Sequence, residues 1–241
     1  MANKILTPDT AALAEERDAL PVVHHVPQGF SDKFALGFTR LLRFCADTFF
    51  AKRYGHRAIV LETVAAVPGM VGATLTHLKC LRQMKDDDGW IRTLMEEAEN
   101  ERMHLMTFIQ IAKPTFFERL VVQLAQAIFY IGFFLLYLIS SRTAHRVVGY
   151  FEEEAVISYT LYLKEIDEGR SPNVPAPPIA LHYWKLPATA TLRDVVLLVR
   201  ADEAHHRDVN HGFASILAGR EVDPESVAPY PTHATELRSG A

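Results

Sequence analysis

The sequence is poor in several features that define common protein classes. It has two cysteines, Cys45 and Cys80, which form no metal-binding or redox spacing. It has no glycine-rich nucleotide loop and no alternation of polar and apolar residues, which argues against a nucleotide-binding α/β domain and against a β-sheet protein. A net charge of −4 gives no reason to expect nucleic acid as a partner. The first twenty residues carry four acids and no apolar run, so we expect neither a signal nor a transit peptide.

The sequence contains one long apolar segment. Hydrophobic residues make up 49% of the 241 residues, and they are concentrated between Arg119 and Arg142, where the segment Leu120–Ser141 carries no charge. A transmembrane helix needs about 20 apolar residues, so length alone would make this segment a membrane span. The positions of the polar residues described below test that interpretation.

Helical periodicity and helix-ending residues predict an all-α fold. A polar arm is expected over residues 1–30, a helical domain over 31–218 and a tail over 219–241. Six helices are expected, with Pro68 as a kink in the second and a proline-rich connection before the last. Their expected positions are about 31–50, 57–85, 88–113, 116–141, 144–168 and 191–218.

Two Glu-x-x-His pairs, Glu101 with His104 and Glu203 with His206, indicate a metal site. Residues three apart lie about 60° apart on a helix, so each pair can offer a carboxylate and an imidazole to one metal. Both pairs fall on otherwise apolar stripes with a spacing of three and four residues. These stripes comprise Leu94, Glu97, Glu101, His104, Phe108 and Ile111, and Val196, Val199, Glu203, His206, Asn210 and Phe213. A buried Glu–His hydrogen bond on each helix is the alternative, which two copies make less favourable.

A dimetal four-helix bundle of the ferritin-like type needs one further glutamate from each of two other helices. Glu62 is the one acid along the buried length of the second helix. The fifth helix offers Glu152, Glu153 and Glu154. At most one of these is expected to point inward, and the stripe through His145, Val148, Glu152, Val156, Tyr159 and Leu163 selects Glu152. Four carboxylates balance two ferrous ions when both histidines are neutral.

Four segments around these residues, 61–65, 100–105, 151–155 and 200–206, resemble the four signature motifs of the alternative oxidases. Phe151 stands where leucine is usual. The resemblance covers about residues 31–218 and implies a bundle with two extra helices that form a membrane-binding face on one leaflet. It also implies a cyanide-insensitive ubiquinol oxidase that reduces dioxygen to water without pumping protons, with two non-haem irons per chain, as a homodimer.

The resemblance also assigns roles to individual residues. The implied metal ligands are Glu62, Glu101, His104, Glu152, Glu203 and His206, with Glu97 as a rival that the family pattern demotes. Tyr159 matches the family's tyrosine near the metals, and a redox or proton role is implied; a packed core tyrosine is the alternative. The residues that resemble those orienting the metal ligands are Asn100, Asp202 and Trp184.

The quinol pocket is implied by the same resemblance. Its residues would be Arg43, Asp47, Arg57, Leu61, His145 and Ser158. Ser158 stands where some relatives carry threonine. The basic residues of the first helix and its end (Arg40, Arg43, Lys52 and Arg53) could equally bind anionic lipid headgroups.

The ligand positions change the interpretation of the apolar segment. If it crossed a bilayer, Glu101 and His104 would lie on one side and the ligands of the last two helices on the other, and we expect no second segment of comparable length to bring the chain back. We therefore expect residues 116–141 to lie along the membrane surface beside residues 31–50. The expected location is the cytoplasmic face of a bacterial inner membrane.

Two other functions remain open at the level of the sequence. A membrane-bound di-iron hydroxylase of the quinone-biosynthesis type would share the ligand set, because ligand spacing does not separate oxidase from hydroxylase. A non-catalytic helical module at a membrane surface would use its Glu and His pairs structurally. Soluble ferroxidases are disfavoured because they lack an apolar face of this size.

Overall fold

The computed structural model describes residues 23–50, 54–112 and 115–228, and its regular structure there consists of helices joined by short connections. Seven α-helices and one short 3-10 helix, Pro224–Val227, occur in these ranges. The α-helices are α1 Phe30–Phe50, α2 Tyr54–Gln83, α3 Trp90–Ala112, α4 Phe116–Ile139, α5 Ser141–Asp167, α6 Pro178–Tyr183 and α7 Leu192–Ile216. No β-strand occurs in the described residues, and the all-α prediction is confirmed.

The proline-rich connection contains a helix that the periodicity did not predict. Helix α6 begins directly after Pro177, with Pro178 in its first turn. Proline suits that position because its fixed φ angle is helical and its missing N–H would have no partner there. The division into arm, domain and tail stays a prediction, since residues 1–22 and 229–241 lie outside the described ranges.

Helices α2, α3, α5 and α7 form a four-helix bundle, in which α2 packs against α3 and α5 against α7. Gly69 allows the close approach of the first pair, because a Cβ atom at this position would lie 2.4 Å from the backbone oxygen of Leu94. Each of the four helices carries at least one of the predicted metal ligands. The bundle therefore sets the distances between them.

Helices α1 and α4 lie against this bundle and leave apolar side chains exposed. The exposed residues include Phe34, Leu41 and Phe44 on α1 and Leu124, Ile128, Ile131 and Leu135 on α4. Within the described ranges, two segments are long and apolar enough to cross a membrane, Arg119–Ile139 and Leu61–Gln83. The expectation that no second such segment exists is therefore wrong. The second one, however, includes Glu62 and packs against α3 within the bundle.

A buried ion pair fastens α1 to the bundle. Arg146 on α5 donates from Nε to Asp32 Oδ1 over 3.1 Å, and both side chains are fully buried. The same guanidinium donates to His211 Nδ1 at 2.8 Å and to Ser215 Oγ at 3.2 Å on α7. Breaking a buried pair leaves an uncompensated charge, so this contact fixes where α1 begins relative to α5 and α7.

Candidate metal centre

The bundle brings four of the predicted ligands into one buried group. Glu62 from α2, Glu101 and His104 from α3, and Glu203 from α7 each offer one ligand atom, and these atoms lie within 4.8 Å of one another. The i, i+3 spacing on α3 places Glu101 and His104 on the same side of the helix, as expected from helical geometry. Carboxylate oxygens with imidazole nitrogens form a donor set that suits iron or manganese.

Glu101 lies between the two histidines. Its Oε1 is 2.6 Å from His206 Nδ1, and its Oε2 is 3.3 Å from His104 Nδ1. His104 Nδ1 is also 3.4 Å from Glu62 Oε2 and 3.4 Å from Glu203 Oε1. The structure thus brings His206 to the same group through Glu101. Glu101 is therefore in contact with both predicted histidine ligands.

Glu152 is the sixth predicted ligand, and it is buried beside Glu203. Burial raises its pKa well above the ordinary range, and the charge of Glu203 adds to the effect. Burial followed by the charges of Glu203 and Glu101 raises the pKa of Glu62 in the same way. Several carboxylates are therefore held together in a site where their negative charges destabilise one another. A bound cation would relieve that repulsion.

In the two histidines the site stabilises the charged form, whereas it destabilises the charged form of Glu62 and Glu152. Burial alone would lower the pKa of His104 and of His206, but the carboxylate of Glu101 raises both well above the ordinary value. Burial alone would raise the pKa of Glu101, and the two histidines lower it overall. The group attracts positive charge, which protons on histidine or a metal ion can supply.

The group also contains buried polar atoms that make no hydrogen bond. A buried polar atom without a partner costs about 1–3 kcal/mol, so a cluster of them calls for an explanation. These atoms are Glu62 Oε2, Glu101 Oε1 and Oε2, His104 Nδ1, Glu203 Oε2 and His206 Nδ1. All are lone-pair donors suited to a metal. The residues present therefore fit a metal site.

The orientation of His104 is set by Asp202. His104 Nε2–H donates to Asp202 Oδ2 over 3.2 Å, so its Nδ1 faces the carboxylates. The same oxygen accepts from Trp184 Nε1 at 3.0 Å and from Asn100 Nδ2 at 3.1 Å. Burial alone would raise the pKa of Asp202, but the hydrogen bond from His104 lowers it. The three residues predicted to orient the ligands thus meet at one atom.

Replacing Asp202 by asparagine is expected to weaken metal binding by about 10–100-fold, because the amide cannot hold the imidazole tautomer as firmly as the carboxylate does. Metal content after dialysis against a graded series of chelator concentrations measures the effect. Asp208→Asn is the matched control, since Asp208 lies on the same helix with an exposed side chain paired to Arg207. Equal metal retention in the two variants would contradict the orienting role.

Tyr159 lies beside the group. Its hydroxyl donates a hydrogen bond to Glu62 Oε1, and its ring stacks on Phe108 with 5.7 Å between the centroids. Burial and the charge of Glu62 raise the pKa of Tyr159 well above its ordinary value, so the phenol keeps its proton. Contact with Glu62 places this proton one hydrogen bond from the candidate metal ligands.

A cavity of about 140 Å³ adjoins the carboxylates. It lies between α1, α2, α4 and α5, and three of the predicted ligands (Glu62, Glu152 and Glu203) line it. The remaining lining residues are Thr39, Leu42, Arg43, Ala46, Leu61, Val64, Ala65, Pro68, Phe129, Phe151, Glu154, Ala155 and Ser158. The lining is mostly apolar, and two of its walls belong to the helices with exposed apolar faces.

Three of the predicted quinol residues line this cavity: Arg43, Leu61 and Ser158. Asp47 lies behind Arg43, with 3.4 Å between Oδ2 and Nε, and Arg43 also forms an ion pair with Glu154. Arg43 is therefore held by two carboxylates rather than free for lipid headgroups. The side chain of Arg57 lies outside the described residues, as do Lys52 and Arg53.

His145 does not line the cavity. It is buried between α4 and α7, with its Nε2 3.0 Å from Tyr137 Oη and its Nδ1 2.9 Å from Asn210 Oδ1. Asn210 in turn donates from Nδ2 to Glu97 Oε2 at 2.9 Å. Burial lowers the pKa of His145 to about 4. His145 points inward, as its stripe predicts. Its contacts are with α4 and α7, however, so it lies apart from the cavity.

The three consecutive glutamates on α5 differ in their surroundings: Glu152 lies beside other carboxylates, whereas Glu153 and Glu154 have partners that carry N–H groups. Glu153 is buried, which contradicts the expectation that at most one of the three points inward. It accepts from the backbone N–H of His25 at 2.7 Å and lies 2.6 Å from His24 Nδ1 and 2.9 Å from His211 Nε2. The residues before α1 and a histidine of α7 thus supply donors that the helical pattern of α5 alone does not reveal.

Comparison with known proteins identifies relatives of this chain. Residues 13–215 match the family described as alternative oxidase. The chain is 60% identical over 211 residues to a mitochondrial ubiquinol oxidase of Mangifera indica, covering 87% of this chain and 66% of that protein. It is 58% identical over 212 residues to ubiquinol oxidase 2 of Arabidopsis thaliana, covering 87% of this chain and 60% of that protein. The chain thus spans less than two thirds of the length of these relatives.

The relatives correct the expected location. They are named as mitochondrial proteins of plants, which points to the mitochondrion, so the placement at a bacterial inner membrane is wrong. The family match covers most of the helical domain and every predicted metal ligand. This chain belongs to the alternative oxidase family.

Proposed function

We propose that this chain is a ubiquinol oxidase that transfers electrons from ubiquinol to dioxygen at a dinuclear non-haem iron centre, insensitive to cyanide and without pumping protons. The observation that carries the proposal is the cavity, which is lined by Glu62, Glu152 and Glu203 together with side chains of α1 and α4. A substrate with a polar ring and an apolar tail matches that environment. The names of the relatives support the same reaction.

Six residues would hold two irons: Glu62, Glu101, His104, Glu152, Glu203 and His206. When bound, the irons would accept electrons from the quinol and pass them to dioxygen. The protein's part is to fix the ligands, and Asp202 does this for His104 by holding the proton on Nε2. Burial of the whole group excludes bulk water from the reacting centre.

Protons are accounted for within the reaction. Two quinols release four electrons and four protons, and reduction of one dioxygen to two waters consumes the same numbers. Tyr159 holds a proton against Glu62 Oε1, next to the cavity that the quinol would enter. A proton released by the quinol would have the carboxylates that line the cavity beside it as acceptors, and the chemistry requires no transfer across a membrane.

The apolar side chains of α1 and α4 would bind one leaflet of a membrane, which would bring the quinol to the cavity. Arg142 lies in the first turn of α5, just after α4, and its guanidinium is 3.8 Å from Asp32 Oδ1. A homodimer remains part of the proposal on the strength of the family resemblance.

The proposal is tested with the chain reconstituted in vesicles with ubiquinol. We expect oxygen uptake that cyanide does not stop, with one dioxygen consumed per two quinols and two irons per chain by metal analysis. A hydroxylated quinone as product would instead support the hydroxylase. Fewer than about one iron per chain in active protein, or complete inhibition by cyanide, would contradict the proposal.

A further inference from the structure

One threonine on α1 differs from most other helical threonines in the chain. Hydroxyls in helices commonly donate to the carbonyl oxygen one turn earlier. Thr48, Thr63, Thr74 and Thr160 do so, over 2.6–2.9 Å. The hydroxyl of Thr39 has no hydrogen-bond partner among the described residues, although the residue is only 1% exposed. Its hydroxyl is thus buried and unpaired.

A buried hydroxyl without a partner is unfavourable, and few occur in folded proteins. Thr107 on α3 is a second threonine in this state, but it does not line the cavity. Thr39 does line it. The unpaired donor therefore lies in the wall of the space proposed for the substrate.

The other polar groups in this part of the cavity already have partners within the protein. The hydroxyl of Ser158 donates to the backbone oxygen of Glu154 over 2.8 Å. Arg43, one helical turn after Thr39, is held by Glu154 and Asp47. Among these groups, Thr39 offers a hydrogen bond without giving up an existing one.

We propose that the hydroxyl of Thr39 donates a hydrogen bond to a ring oxygen of the bound quinol. This inference rests on the proposed function. Glu62, Glu152 and Glu203 line the same cavity as Thr39, so a quinol that reacts beside these carboxylates also lies beside the wall to which Thr39 belongs. Both the hydroxyl and the methoxy oxygens of the ring can accept a hydrogen bond from Thr39. Thr39 is thus a substrate-contact residue that helps to fix the ring's orientation.

The test is steady-state oxygen uptake by Thr39→Val, Thr39→Ser and Thr48→Val in vesicles, with ubiquinol varied. Valine keeps the branched shape and removes the hydroxyl. We expect KM for ubiquinol to rise about tenfold in Thr39→Val with kcat changed less than twofold, the loss of about one hydrogen bond. Thr39→Ser should stay within about twofold of the unaltered chain, because it keeps the hydroxyl. Thr48→Val should behave as the unaltered chain, since its hydroxyl only bonds its own helix.

Thermal unfolding separates a substrate contact from a structural role. Removal of an unpaired hydroxyl should leave the Tm of Thr39→Val equal or higher, whereas loss of a structural hydrogen bond would lower it. An unchanged KM in Thr39→Val, or a tenfold rise shared by Thr39→Ser, would overturn the inference. Should Thr39→Val lose iron, Thr39→Ala compared with Thr39→Ser answers the same question. If the unaltered chain oxidises no ubiquinol, it is the proposed function that fails; if it does and the variants match it, only the inference fails.

Discussion

Glu101→Ala is expected to abolish quinol-dependent oxygen uptake, with activity lowered by at least about 100-fold and iron lost from the protein. Glu101 has one carboxylate oxygen 2.6 Å from His206 Nδ1 and the other 3.3 Å from His104 Nδ1. No other described carboxylate is so close to both histidines. Removal of Glu101 would therefore weaken binding of both proposed irons, whereas loss of a ligand that contacts one iron would weaken binding of that iron alone. Metal analysis and oxygen uptake on the same preparation measure the two effects.

The control for this change is Glu99→Ala on the same helix. Glu99 is exposed and pairs with Arg102, so its loss removes only a surface contact, worth about 0–1 kcal/mol, and should leave activity and iron unchanged. Activity retained in Glu101→Ala would show that the ligand assignment on α3 is wrong. Glu97, one turn earlier, would then be the residue to replace next. Its present hydrogen bond to Asn210 argues for a role outside the ligand set.

Tyr159→Phe is expected to lower oxygen uptake by at least about 100-fold while the iron content stays unchanged. The substitution removes one oxygen atom, which donates to Glu62 Oε1, and leaves the ring on Phe108 in place. Since burial and Glu62 raise the pKa of this phenol, it holds its proton at any ordinary pH and releases it only together with an electron or to a stronger acceptor. Oxygen uptake, iron content and thermal unfolding are measured together.

Tyr162→Phe serves as the comparison, because Tyr162 is buried in the same apolar core three residues farther along α5. Both variants lose one buried hydroxyl and should show similar Tm values. Only the change at Tyr159 should stop turnover. Full oxygen uptake in Tyr159→Phe would show that Tyr159 contributes only to packing of the core. Loss of iron in that variant would indicate that its hydroxyl positions Glu62 and would contradict a redox role.

Spacing within a helix made the two Glu-x-x-His pairs visible in the sequence. Three residues of helix place Glu101 beside His104, and this geometry does not depend on what surrounds the helix. The apolar residues of the same stripe then give the direction of the core. For this reason the helices and the residues brought together in the buried group could be anticipated without knowing how the helices are arranged.

Contacts between helices were harder to anticipate. His145 faces inward as its stripe predicts, but whether it meets the cavity or Tyr137 depends on where α4 lies against α5. The burial of Glu153 also depends on how the helices are arranged, because its partners come from His211 on α7 and from the residues before α1. The free hydroxyl of Thr39 depends on the positions of single atoms, which no residue pattern encodes.

If the chain oxidises ubiquinol as proposed, the apolar side chains that α1 and α4 leave exposed would let the quinol reach the cavity from the bilayer rather than from water. Each methylene group of a quinol tail favours lipid over water by about 0.8 kcal/mol, so a long-tailed quinol is found almost entirely in the bilayer. Occupancy of the cavity would then be governed by the mole fraction of quinol among the lipids. Adding quinol-free lipid should slow the reaction even when the amount of quinol per litre is constant. Rates for this chain are comparable between preparations only at equal ratios of quinol to lipid.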